Sequence, residues 1–129
     1  MTVERHGSGV EYEAVVGYSR VVRAGAHVWV AGCTATMADG AIAGPGDPYV
    51  QAQQTLRNLE DALTKVGARL EDVVRTRMFV TDISQWEAVA RAHGEAFADI
   101  RPVTSMLEVS ALLDPRMMVE IEADAFLAT

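Results

Sequence analysis

Glu120 and Glu122 stand two residues apart in the segment Val119 to Asp124 (VEIEAD). In an extended strand that spacing puts both carboxylates on one face. Most carboxylates on such a face are solvated and do no chemistry. One held in a partly closed cleft has a raised pKa and can orient or deprotonate a water. Cys33, the one cysteine, follows Gly32 at the end of a strand pattern. A nucleophilic thiol needs a base or a positive charge beside it, and the sequence displays neither, so a buried, space-filling thiol is the plainer reading. His6, His27 and His93 have no second His or Cys at a metal-ligand spacing, so no metal is expected. His93 falls on the apolar stripe of a helix pattern, where a hydrogen-bonded core or interface histidine is the commoner case. There is no G-x-G-x-x-G, P-loop, HExxH or G-x-S-x-G. Gly44-Pro45-Gly46 lacks the Lys and Ser/Thr of a phosphate loop and reads as a turn.

The elements that must position these residues are legible in outline. Val16 to Ala24 reads as a strand, with His27 to Ala35 (HVWVAGCTA) as its hairpin partner after Gly25. Asp47 is a good N-cap, with Pro48 at the first helical position. Tyr49, Ala52, Leu56, Leu59, Leu63 and Val66 then recur at helical spacing, and Gly67 is the expected stop. Val73 to Thr81 is a strand. Ser84 with Glu87 reads as a capping box that opens a second helix. Its buried face would be Trp86, Val89, Ala90, His93, Ala96, Phe97 and Ile100, and Pro102 would end it. Val103 to Ser110 and Met117 to Leu127 follow as strands, joined by a turn at Leu113 to Arg116.

The order ββ-α-β-α-ββ predicts an α+β fold, one mixed sheet covered on one face by two helices. The other face would carry Thr104, Met106, Glu108 and Ser110 beside Met118, Glu120, Glu122 and Asp124. Mixed methionines and carboxylates suit a face partly covered by another subunit, with a wet cleft left over; a plain solvated face is the alternative.

Composition narrows the function. The 129 residues fit one domain, residues 1–129, with a core that needs no disulfide or metal. Eighteen acidic residues face eleven basic ones, and Lys65 is the only lysine. Nucleic-acid binding draws on Lys and Arg against phosphate, so neither a nucleic acid nor an anionic membrane surface is an expected partner. No apolar run is long enough to span a membrane, and the first twenty residues lack a signal-peptide core. One cysteine fits a reducing compartment, so a cytoplasmic location is expected.

Four stretches carry a resemblance that covers nearly the whole chain. They are Gly17-Tyr18-Ser19, Val30-Ala31-Gly32, Arg75 to Asp82 (RTRMFVTD) and Arg101 to Ala123 (RPVTSMLEVSALLDPRMMVEIEA). With the element order, they make the chain resemble the Rid (reactive intermediate deaminase, or YjgF) family. The resemblance implies a chorismate-mutase-like fold and a homotrimer with one small-molecule cleft per interface. Members with the deaminase pattern hydrolyse 2-imino or 2-enamino acids to 2-keto acids and ammonia, without cofactor or metal. Carried over residue by residue, Tyr18 matches a tyrosine lining the cleft. Gly32 matches the backbone glycine after the second hairpin strand, with Cys33 beside it. Glu120 matches the water-placing glutamate.

Three positions depart from that pattern. Thr104 stands where the family places a carboxylate-gripping arginine, Met106 where it often places Cys or a small residue, and Ala90 where many members place asparagine. Threonine cannot supply the charge of a bidentate Arg–carboxylate pair. The expected activity is therefore hydrolysis of an imine, enamine or related carbonyl compound, not standard deamination of 2-imino acids. The alternative is a non-catalytic small-molecule-binding or regulatory trimer. Endoribonuclease activity, a label attached to some relatives, fits the charge balance poorly. Arg20, Arg75, Arg77, Arg91 and Arg101 are the arginines that could stand in for the missing one; a solvated or salt-bridged role is the default for each.

Overall fold

The structure is a computed structural model that describes residues 2–128. Six strands form one sheet: β1 (Val3–His6), β2 (Val21–Ala24), β3 (His27–Cys33), β4 (Val73–Val80), β5 (Val103–Glu108) and β6 (Val119–Phe126). Their order is β1-β2-β3-β6-β4-β5. Every neighbouring pair is antiparallel except β4 and β5, which the intervening helix joins as a parallel crossover. The helices are α1 (Glu11–Val16), α2 (Pro48–Thr64) and α3 (Trp86–Phe97). No helix among the described residues is long and apolar enough to cross a membrane.

The longer helix forms as its spacing predicts. The Asp47 carboxylate accepts hydrogen bonds from the Tyr49 and Val50 N–H groups, both at 3.1 Å. At the other end the Ala68 N–H returns to the Leu63 carbonyl at 3.0 Å. Leu56, Leu59 and Leu63 are buried with Val89 and Phe97 of α3 against Val28, Val30, Val119 and Ile121 of the sheet. Gln51 is also fully buried. Its Nε2 donates to the Gly44 and Arg116 carbonyls, and its Oε1 accepts from the Met118 N–H. That amide satisfies itself while fixing the entrance to β6, two residues before Glu120.

The structure corrects five of the sequence expectations. Val16 closes a helical turn, not a strand: α1 ends there, Gly17 adopts a left-handed φ of 88°, and β2 begins only at Val21. A strand at Val3–His6, not foreseen, pairs with β2. Asp82 caps the single 3-10 turn Ile83–Gln85, its carboxylate accepting from the Ser84 N–H (3.0 Å) and Oγ (2.6 Å), and neither a Ser84–Glu87 box nor any other side-chain cap opens α3. Its buried face is Val89, Ala92, His93 and Phe97, whereas Trp86 is exposed.

The fifth correction bears on function. Thr104 and Met106 pair with Thr76 and Met78, whose side chains point toward the helices. Glu120 and Glu122 pair with Phe79 and Arg77 on the opposite face. Paired residues share a face, so Thr104, Met106 and Glu108 lie on the helix side, and the Glu120 row lies on the open side.

Candidate functional site

A bulge in β3 builds the first half of the site. Val30 pairs with Ala123 and Cys33 with Ile121, so Ala31 and Gly32 together oppose one residue, Glu122. The extra residue kinks the strand and brings the Gly32 backbone under the Glu120 carboxylate. A Cβ at position 32 would lie 2.5 Å from Glu120 Oε2 and 2.7 Å from its Cδ. Glycine is what lets the Glu120 side chain lie this close to the strand. Gly32→Ala is expected to displace the Glu120 side chain while leaving the fold intact. A crystal structure of the variant with Glu120 unmoved would contradict this account of the bulge.

Glu120 is half-buried. Burial, and next the charge of Glu122, push its carboxyl above the usual range, against the opposing pull of Arg20. Arg20 is only 8% exposed and organises the group. Its Nη1 donates to the Gly32 carbonyl at 2.6 Å and contacts Cys33 Sγ at 3.6 Å. Its Nη2 donates to the Tyr18 hydroxyl at 3.1 Å, and its Nε pairs with Glu13 at 3.3 Å. Tyr18, Arg20, Gly32, Cys33 and Glu120 are thus brought to one end of the β2–β3 hairpin. Cys33 is 2% exposed, and burial pushes its thiol up, so it stays protonated beneath the guanidinium.

Arg20 is the member that the sequence reading did not assign. No local pattern marks it, because the neighbour of a buried strand residue such as Val21 ordinarily faces the other way. The donors of Arg20 are nearly all committed to protein acceptors, which leaves no free fork for a ligand carboxylate. Of the other candidate arginines, Arg75 is exposed on β4 and three are engaged elsewhere. Arg77 pairs with Glu122 (3.4 Å) and Asp124 (3.8 Å) on the open face. Arg91 stacks on the Tyr49 ring at 3.8 Å, and Arg101 Nε donates to the Ala98 carbonyl at 3.0 Å.

Thr104 and Met106 are not part of this group. They lie across the sheet, on the edge strand β5. Thr104 Oγ1 is 2.7 Å from Thr76 Oγ1, which is 2.8 Å from His93 Nε2. Met106 packs on the rim of the core. Burial lowers the pKa of His93, which keeps the ring neutral. Among the described residues no three His, Cys, Asp or Glu side chains converge as metal ligands do.

Two helices on one face of a six-stranded mixed sheet, with a carboxylate laid over a bulge glycine on the other, define a chorismate-mutase-like α+β domain. Residues 9–127 match the family model described as Endoribonuclease L-PSP. The uncharacterized protein SCO2049 of Streptomyces coelicolor is 39% identical over 124 residues, covering 96% of this chain and 92% of its own. The Drosophila melanogaster RutC family protein UK114 is 32% identical over 111 residues, covering 86% of this chain and 80% of its own. Among solved structures, Rv2704 of Mycobacterium tuberculosis, described as a member of the YjgF/YER057c/UK114 family, is 50% identical. It covers 98% of this chain and 100% of its own, with a TM-score of 0.90. The chain belongs to this family, which also goes by YjgF and Rid.

Proposed function

We propose that the protein is a cofactor-independent hydrolase of a small imine, enamine or related carbonyl compound, acting in a cytoplasmic homotrimer at clefts between its subunits. The observation that carries this reading is the Glu120 carboxylate, half-buried against the Gly32 backbone and more basic than a solvated glutamate. Such a carboxylate can take a proton from water as the water oxygen bonds to the C=N carbon. The nitrogen gains that proton to give a carbinolamine; its hydroxyl proton then passes through Glu120 to the nitrogen as the C=O bond forms and the C–N bond breaks, so that ammonia or an amine leaves a carbonyl product. Tyr18 and Gly32 line this half of the cleft, with Arg20 and Cys33 bracing it from behind.

The placement of Thr104 supports a cleft that one chain does not complete. A sheet lies between Thr104 and Glu120, so a small molecule cannot touch both in a single copy. In the assembly, Thr104 and Met106 of one subunit meet Glu120 of the next. The open sheet face also exposes Trp29, Phe126, Leu107 and Val103 around the Arg77–Glu122 pair, which suits burial against another copy.

Two measurements test the reading. Light scattering is expected to give three times the mass of the chain, and a monomer at micromolar concentration would sink the shared cleft. A model imine without a carboxylate, and imino acids generated by an amino-acid oxidase, are then compared for carbonyl release. Hydrolysis above the spontaneous rate is expected, with the neutral imine preferred. No acceleration of either would leave only the binding role.

A further inference from the structure

Thr104 is joined to the core by two consecutive hydrogen bonds. His93 lies on α3, 8% exposed, with its ring 4.7 Å from that of Phe97. Its Nε2 meets the hydroxyl of Thr76, a fully buried residue of β4, and that hydroxyl meets the exposed Thr104 on the edge strand. Each hydroxyl has one proton to give. When Thr76 donates to Thr104, its lone pair accepts from His93 Nε2–H, and the proton of Thr104 is left to point away from the sheet. Thr76 is the donor to Thr104, so its one proton is spent there and His93 meets it as the Nε2–H tautomer.

We infer that Thr104 is a specificity-determining residue that reads an uncharged polar group of the ligand, with Thr76 and His93 as positioning residues that set the direction of its hydroxyl. This rests on the reading that Thr104 lines the ligand cleft. None of the three groups supplies a formal positive charge. A carboxylate brought to Thr104 loses water and gains one neutral hydrogen bond, which does not replace its hydration. An amide, ketone or ester loses far less on leaving water. The outward proton of Thr104 suits the carbonyl oxygen that each of them carries. The fixed direction has a second effect: the hydroxyl spends no rotational freedom when the ligand arrives. The ligand class is therefore an imine, enamine or carbonyl compound bearing an amide or similar neutral group where an amino-acid derivative bears its carboxylate.

Pyruvamide and pyruvate test this, being alike except for the amide and the carboxylate. Both are titrated against the assembled wild-type protein by calorimetry. Tighter binding of pyruvamide is expected. Thr104→Val keeps the shape and removes the hydroxyl, and it should lower pyruvamide affinity about tenfold with pyruvate unchanged. Thr104→Ser should retain the preference. His93→Phe should reduce the amide-to-carboxylate ratio, and His93→Gln, whose Nε2 can donate to Thr76, should restore it. If His93→Phe does not assemble, the two Thr104 variants decide alone. A wild-type preference for pyruvate, or an unchanged ratio in Thr104→Val, overturns the assignment of Thr104 and leaves the cleft standing. Binding of neither probe at millimolar concentration overturns this inference, and the imine assay then decides whether the cleft itself survives.

Discussion

Glu120→Gln is expected to cut imine hydrolysis by roughly a hundred- to ten-thousand-fold, the usual worth of a general base. Glutamine keeps the size of the side chain and its place over Gly32, so assembly should be unchanged. Stability should move the other way. The carboxyl of Glu120 titrates above its ordinary value because burial, and then Glu122, disfavour the charge. The folded chain therefore binds a proton that the unfolded chain has released, and stability falls as pH rises through the window between the ordinary and the raised pKa. Glutamine carries no such penalty. Glu120→Gln should thus melt higher than wild type near neutral pH, and the gain should vanish below the ordinary carboxylate range. An inactive variant that also melts lower near neutral pH would show that the carboxylate serves the fold. A fully active one would remove Glu120 from the chemistry.

Arg20→Met is expected to destabilise the fold by about 3 kcal/mol, because it removes one partner of an ion pair held out of water. Glu13 and Arg20 side chains are each only 10% exposed. Burial pushes the Glu13 carboxyl up, but hydrogen bonds from Ser8 and Gly9 and the Arg20 charge outweigh it and hold its pKa below the usual value. Glu13 therefore contributes stability above its unfolded pKa that is lost as pH falls through the folded one. Arg20→Met leaves that charge with only its Ser8 and Gly9 hydrogen bonds and also frees the Gly32 carbonyl and the Tyr18 hydroxyl. Urea denaturation reads the loss directly. The double variant Glu13→Gln/Arg20→Met should be less damaged than Arg20→Met alone. An unmoved midpoint in Arg20→Met would show the pair to be a solvated contact.

What the sequence makes legible follows from where burial is one-sided. In α2 the Asp47–Pro48 start, the leucine spacing and Gly67 all report one helix lying on one core, so its ends and buried face read correctly. β6 alternates because Val119, Ile121, Ala123 and Ala125 are buried while Glu120, Glu122 and Asp124 are not. Elements with no such contrast are silent. β1 is exposed along its whole length, and β5 is exposed except at half-buried Met106. Nothing in the composition of β5 says which face Thr104 takes; its pairing with Thr76 decides that, and pairing is a long-range fact. The six residues of α1 are too few for a helical period to appear, and Val15-Val16 suggests a strand. Glu120 and Gly32 were nameable from their motifs, but their contact depends on the β3 bulge. Arg20 was hidden because its role comes from acceptors scattered over Glu13, Tyr18 and Gly32.

The most direct test is subunit complementation. Glu120→Gln removes the base, and Thr104→Trp blocks the opposite wall; each variant alone should be nearly inactive toward the model imine. The two are unfolded together, refolded as an equal mixture and assayed. If each cleft takes Glu120 from one subunit and Thr104 from its neighbour, random assembly restores both wild-type residues in about a quarter of the clefts. The mixture should then recover about a quarter of the wild-type rate. If both residues served one site within a single chain, the mixture would show only the mean of two inactive proteins, and that result would contradict the shared cleft.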